Sequence, residues 1–187
     1  MLLNDLRTFA SVLRHRLQFL HLPFGRTQPT LLTINDMDNT PNDVLSNTII
    51  RKVNHLCDKG DAFCEDGAYL QALEAYETAL ELLPEPFIQW EISTWLTVSI
   101  GDTYFLMRQF EKAEEAFKMS LFTPDGLDNP LVHLRLGQCA FERDATDEAI
   151  AAFQRAYDDE GEIIFEEDDP KYWQFFKRQL HNSTDKP

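Results

Sequence analysis

The chain has 187 residues, 43% of them hydrophobic, enough for one domain with a real core. Its formal net charge is −15, from 32 acidic and 17 basic side chains. That balance argues against nucleic acid, whose phosphates need Lys and Arg, and against an anionic membrane surface. It favours a basic protein partner.

Residues 1–36 differ from the rest, with Arg7, Arg14, Arg16 and Arg26 against only Asp5 and Asp36. Leu6, Phe9, Leu13, Leu17 and Leu20 keep helical spacing, which allows a short basic amphipathic helix before Pro23, Gly25 and Pro29 break it. Arg14 and Arg16 interrupt any apolar stretch of a secretory signal. The segment reads as a flexible basic extension, or as sequence ahead of a true start at Met37. A targeting or membrane-surface helix is a third reading.

A first helix is expected from Asn42 or Asp43 to about Glu65, and its partner from Ala68 to Leu83, ended by Pro84 and Pro86. A long helix from Phe87 to Met107 follows, carrying Trp90 and Trp95, with a partner over Phe110 to Leu121. Thr123 to Pro130 is dense in turn formers, and Pro130 suits the first helical position after Asn129. The third pair spans Pro130 to Glu142 and Thr146 to Asp158, with Thr146 or Asp144 as cap. A short helix, an acidic turn and a last helix near Pro170 complete the chain.

One code recurs along these pairs. Gly60, Phe63, Ala72, Tyr76 and Ala79 are followed by Gly101, Tyr104, Ala113, Phe117 and Ser120, and then by Gly137, Ala140, Ala149, Phe153 and Ala156. The glycine precedes the first Ala by twelve residues in all three sets. Small residues let two helices approach closely, and a lone hairpin cannot bury its apolar face, so neighbours must stack. The pattern resembles the tetratricopeptide repeat family over roughly residues 42–172. The departures are Lys59 for the usual Leu, Ala140 for the aromatic, and a longer step between repeats one and two. The resemblance implies an all-α, right-handed α-solenoid. Repeats fall at about 53–86, 94–127 and 130–163 within a domain of residues 37–187. A capping helix at about 170–180 is expected, with Tyr172, Phe175 and Phe176 as its apolar face.

In such solenoids the first helix of each pair lines a concave groove. The partner-binding candidates are therefore Asp58, Asp61 and Glu65 in repeat one, Trp95, Ser99 and Asp102 in repeat two, and Arg135, Gln138 and Glu142 in repeat three. Asn54, Cys57, Leu106 and Leu131 occupy neighbouring groove slots. Members of the family that hold acidic chaperone C-termini use Lys, Asn and Arg in slots that here read Cys57, Asp61, Ser99, Leu131 and Arg135. Arg135 alone fits, so an acidic peptide is a poor ligand and a basic surface a good one.

Cys57, Cys64 and Cys139 are an odd count without CxxC, which suits free thiols in a reducing cytoplasm. His55, His133 and His181 are scattered, and the acidic run from Glu160 to Asp169 lacks the plan of a calcium loop. No phosphate loop or nucleophile motif is present, so the expectation is a binding protein with no metal or cofactor, not an enzyme. The Pro-Glu-Pro insert before a Trp-rich helix, the Asn129 to Cys139 stretch and the Ile164 to Tyr172 tail resemble small bacterial tetratricopeptide proteins found beside polymorphic toxins. That resemblance implies immunity, the neutralising of a basic toxin of the same cell. The alternative is a scaffold or secretion chaperone that holds an extended client segment.

Overall fold

The computed structural model describes residues 45–184, and all regular structure in that span is helical. Helices α1 (Asn47–Glu65) and α2 (Tyr69–Glu81) form a first pair, α3 (Glu91–Leu106) and α4 (Phe110–Ser120) a second, and α5 (Pro130–Glu142) and α6 (Thr146–Glu160) a third. Helix α7 (Pro170–Thr184) follows a 3-10 turn at Gly161–Phe165. The two helices of each pair pack together, and α2 and α4 also pack on the first helix of the next pair. The chain is thus an α-solenoid of helical hairpins.

The recurring code explains how the hairpins close. Tyr76, Phe117 and Phe153 are buried on the second helices, each lying against the glycine of its own first helix. A Cβ at Gly101 would stand 2.6 Å from the Phe117 ring, and one at Gly137 2.5 Å from the Phe153 ring. At Gly60 it would overlap Tyr76. The space above each glycine is filled by an aromatic face, and Ala72, Ala113 and Ala149 on the opposing helices are wholly buried. Ser120 replaces the last Ala without loss because its hydroxyl donates to Thr97 Oγ1 at 2.9 Å.

A second regularity lies in the turns. Gly67, Arg108 and Asp144 each follow their repeat glycine by seven residues, and all have positive φ, at 74°, 59° and 61°. One left-handed residue reverses the chain in each hairpin, and only the first uses glycine for it. Asp144 is therefore a turn residue and not a helix cap. Ala145 holds the cap position of α6 without a side-chain bond, and Thr146 is the first helical residue.

Two other expectations meet the structure differently, and a third agrees with it. Helix α1 starts at Asn47, capped by Ser46, whose Oγ accepts from Ile49 N at 3.3 Å. Leu45 and Ser46 are not helical, and the expected start at Asn42 or Asp43 lies outside the described residues. The long helix from Phe87 is interrupted: a 3-10 turn at Phe87–Gln89 ends at Trp90, whose extended backbone precedes α3. Trp90 is buried there and its indole Nε1 donates to Pro84 O at 2.7 Å, stapling the insert to the end of the first repeat. At the third pair, Asn129 Oδ1 accepts from Leu131 N at 3.0 Å and Pro130 opens α5, as its sequence position predicts.

The far end is sealed by aromatic packing. Phe153, Phe165, Tyr172 and Phe176 are buried together, with Phe141, Tyr157, Trp173 and Phe175 half-buried around them. Edge-to-face and offset contacts tie this cluster from α5 and α6 to α7, including Phe141 to Phe175 at 5.0 Å and Phe165 to Phe176 at 5.8 Å. No described helix is long and apolar enough to cross a membrane.

Candidate functional site

Helices α1, α3 and α5 are the first members of their pairs, and their shared face carries the groove positions. In α1, Asn54, Asp58 and Glu65 are exposed. Asp61 is half-buried and accepts from the Tyr76 hydroxyl at 2.7 Å, which ties this wall to the packed ring beneath Gly60. Burial, with Asp61 beside it, holds the Tyr76 phenol well above its ordinary pKa. Cys57 is buried, and burial with Asp61 and Asp58 close by pushes its thiol up to about 12. Burial raises Cys64 and Cys139 as well, Cys139 to about 12, so all three thiols stay protonated at neutral pH.

The wall formed by α3 and α5 differs from the expected open, acidic surface. Trp95 and Leu106 are half-buried, and Trp95 meets Tyr76 edge to face at 5.7 Å. Ser99, Asp102, Leu131, Arg135 and Gln138 are buried. The reason is a charged cluster that closes on itself. Arg135 Nε lies 2.8 Å from Asp102 Oδ1, and its Nη1 donates to Asp168 Oδ1 at 2.7 Å and to Gln138 Oε1 at 2.8 Å. Arg135 is 1% exposed, so the guanidinium spends its donors inside the protein.

Electrostatics follow from two carboxylates sharing one cation. Burial disfavours the charged guanidinium of Arg135, but Asp168 and Asp102 outweigh it and hold its pKa above the ordinary value. Asp102 is raised to about 6, first by burial and also by Asp168, against the downward pull of Arg135. Asp102 also sits in poor hydrogen-bonding geometry: its contact with Arg135 is close, yet neither of its oxygens receives a well-aligned hydrogen bond. Asp102 is the least well compensated member of the cluster.

Glu142 is likewise engaged. Its Oε1 accepts from the Tyr172 hydroxyl at 2.8 Å and forms an ion pair with Lys171, both from α7. The last helix and the turn before it thus cover the third-repeat end of the face. Of the nine candidates, Asp58 and Glu65 are exposed, Asp61, Trp95 and Glu142 are half-buried, and Ser99, Asp102, Arg135 and Gln138 are enclosed. The expectation that Asp102 stands open in the groove is corrected by its 3% exposure. Sequence reasoning misses Asp168, assigning it to the negative charge before α7. The sequence offers no clear signal for it, because Asp102 and Glu142 among the groove slots already stand as candidate acidic partners for Arg135.

The comparisons with known proteins agree on the fold. Residues 99–162 match the family model described as Tetratricopeptide repeat. A curated relative, "Transcription activator GutR" of Bacillus subtilis (strain 168), is 26% identical over 155 residues, covering 81% of this chain. The chain spans only 18% of that protein's length. Among solved structures, the first tetratricopeptide domain of Spaghetti (RPAP3), bound to the HSP90 peptide SRMEEVD, superposes with a TM-score of 0.56 at 16% identity. That match covers 72% of this chain and 94% of the other. The Arabidopsis OM64 tetratricopeptide domain gives 0.55 at 18% identity, over 70% and 95%. The two structural likenesses show the fold, an α-solenoid of helical hairpins.

Proposed function

We propose that this chain binds a basic polypeptide through the face of its first helices, and that its role is immunity, the neutralising of a basic toxin. One observation carries the preference for a basic partner. Among the described groove-slot residues Arg135 is the basic side chain, and Asp102 and Asp168 already enclose it. The peptide in the Spaghetti structure ends in Glu-Glu-Val-Asp. Such a segment would find the Arg135 guanidinium already enclosed and would meet Asp58 and Glu65 on α1. A Lys- or Arg-bearing surface would be attracted by the same side chains, and by a net charge of −15. The immunity role rests in addition on the resemblance to proteins encoded beside toxins.

The test is co-expression with the product of the adjacent gene. Toxicity of that product alone, relieved by this chain, supports immunity. Binding measured by calorimetry should weaken steeply as salt rises, and in the Asp58→Lys, Glu65→Lys double variant, with an unchanged circular dichroism spectrum. Affinity indifferent to salt and to both substitutions would refute the basic-partner reading. A secretion chaperone would instead bind several unrelated extended peptides.

A further inference from the structure

We propose that the end of α4 and the loop behind it, residues 119–128, form a docking surface for a polypeptide segment that sets an apolar side chain between lysines or arginines, with Phe122 as the anchor. This surface belongs to a second helix and an inter-repeat loop, outside the nine groove positions. It rests on the proposed function only for the basic character of the partner.

Exposure is the first ground. Among the described residues five large apolar side chains stand exposed, and three of them fall within nine positions: Met119 at 43%, Phe122 at 72% and Leu127 at 57%. Folded chains seldom gather such side chains on their surface unless something covers them. Backbone geometry brings the three together. Phe122 N donates to Met119 O at 3.1 Å, which wraps Phe122 around the end of α4. A Cβ at Gly126 would overlap the Ser120 carbonyl oxygen, so Gly126 packs directly on the last helical residue and Leu127 emerges beside it. The loop is pinned in this shape. Thr123 Oγ1 donates to Ser120 O at 2.6 Å, Gly126 N to Thr123 O at 3.1 Å, and His133 Nε2 to Leu127 O at 2.7 Å. A loop already ordered loses little further freedom on binding. Charge selects the occupant. Asp125 and Asp128 are exposed on the same loop, and Glu115 is exposed one turn before Met119. Asp128 makes one loose, exposed contact with Arg155 at 3.4 Å. Lys118, the sole basic residue between positions 115 and 128, is paired with Glu114 at 2.7 Å. An apolar anchor among carboxylates suits an apolar side chain with cationic neighbours. A second copy of this chain, itself at −15, would be repelled.

The experiment uses the full 187-residue chain and three synthetic peptides of one pattern, built from Lys and Leu, from Lys and Ser, and from Glu and Leu. Calorimetry gives the affinities. Oxidation of Met119 by hydrogen peroxide, read by mass spectrometry against the half-buried Met107, reports where a peptide sits. The Lys/Leu peptide should bind tightest and slow Met119 oxidation several-fold, while Met107 keeps its rate. Phe122→Ser should weaken that binding about tenfold, and Leu127→Ser should weaken it less. Both side chains are exposed, so the thermal midpoint should stay unchanged. Met119 oxidation unmoved by the Lys/Leu peptide would overturn the proposal, as would equal affinity for the Lys/Ser or the Glu/Leu peptide. Self-association of the chain alone, dissolved by Phe122→Ser, would overturn it in favour of a second copy. The Asp58→Lys, Glu65→Lys variant of the first-helix face should keep Met119 protected, and protection lost there would overturn the assignment to this loop. None of these readouts depends on a toxin, so failure of the immunity reading leaves this result interpretable.

Discussion

Replacing Asp102 by Asn probes the buried charge cluster most directly. In the folded protein Asp102 titrates at about 6, against 3.8 for a free aspartate, because burial and Asp168 outweigh Arg135. The raised value fixes the sign. The folded state holds its proton more tightly than the unfolded state, so this group contributes stability below about pH 4 and loses it as pH rises to about 6. A shift of roughly two units corresponds to about 3 kcal/mol, fully lost above about pH 6. The amide of the Asp102→Asn variant cannot titrate, so the variant should lack this component. Urea unfolding, followed by tryptophan fluorescence at intervals from about pH 4 to about pH 8, gives both stability curves. The difference, wild type minus Asp102→Asn, should fall by about 3 kcal/mol between about pH 4 and 6 and then stay flat. At about pH 7.5 the variant should be as stable as the wild type or more so, because a buried cluster with one carboxylate too many has been relieved. A pH-independent difference, or a variant much less stable at that pH, would refute this account and make Asp102 a well-compensated ion-pair partner.

Other outcomes follow from the same structure. Arg135→Met leaves Asp102 and Asp168 facing each other without their cation, and should cost about 3–5 kcal/mol in urea unfolding at neutral pH, much less in acid. Gly101→Ala drives a methyl to 2.6 Å from the buried Phe117 ring. Overpacking of about 1–3 kcal/mol, less about 1 for the better helix former, predicts a net loss of up to about 2 kcal/mol in chemical denaturation. Phe176→Ala removes a wholly buried ring from the end cluster and should cost about 3–5 kcal/mol, with amide exchange rising first in α6 and α7. Arg108→Gly relaxes a left-handed residue and should raise stability by up to about 1 kcal/mol, readable as a higher thermal midpoint.

Much of the architecture was legible because the contacts that build a hairpin are close in sequence and chemically distinctive. A glycine, an alanine twelve residues on and an aromatic four beyond that can be read as two helices in contact, and the rings of Tyr76, Phe117 and Phe153 lie against Gly60, Gly101 and Gly137. The same spacing holds a less visible signal, since the residue seven past each glycine takes positive φ whether it is Gly67, Arg108 or Asp144. Propensity hides this position, because Arg is an ordinary helix former and the surrounding packing overrides its preference. Trp90 shows the limit from the other side: a helical pattern runs through it, yet its indole bonds Pro84 O and its backbone leaves the helix.

The helix pairs, their order and the acidic wall on α1 from Asp58 to Glu65 are written into the amino-acid order, because periodicity reports which face of each helix is apolar. The enclosure of Asp102, Arg135 and Gln138, and the capture of Glu142 by α7, come instead from the folded arrangement. Those fates depend on Asp168, Lys171 and Tyr172, about thirty residues beyond Arg135 and Glu142. A helical period marks a residue as polar or apolar. It carries no information about which distant segment arrives to cover it.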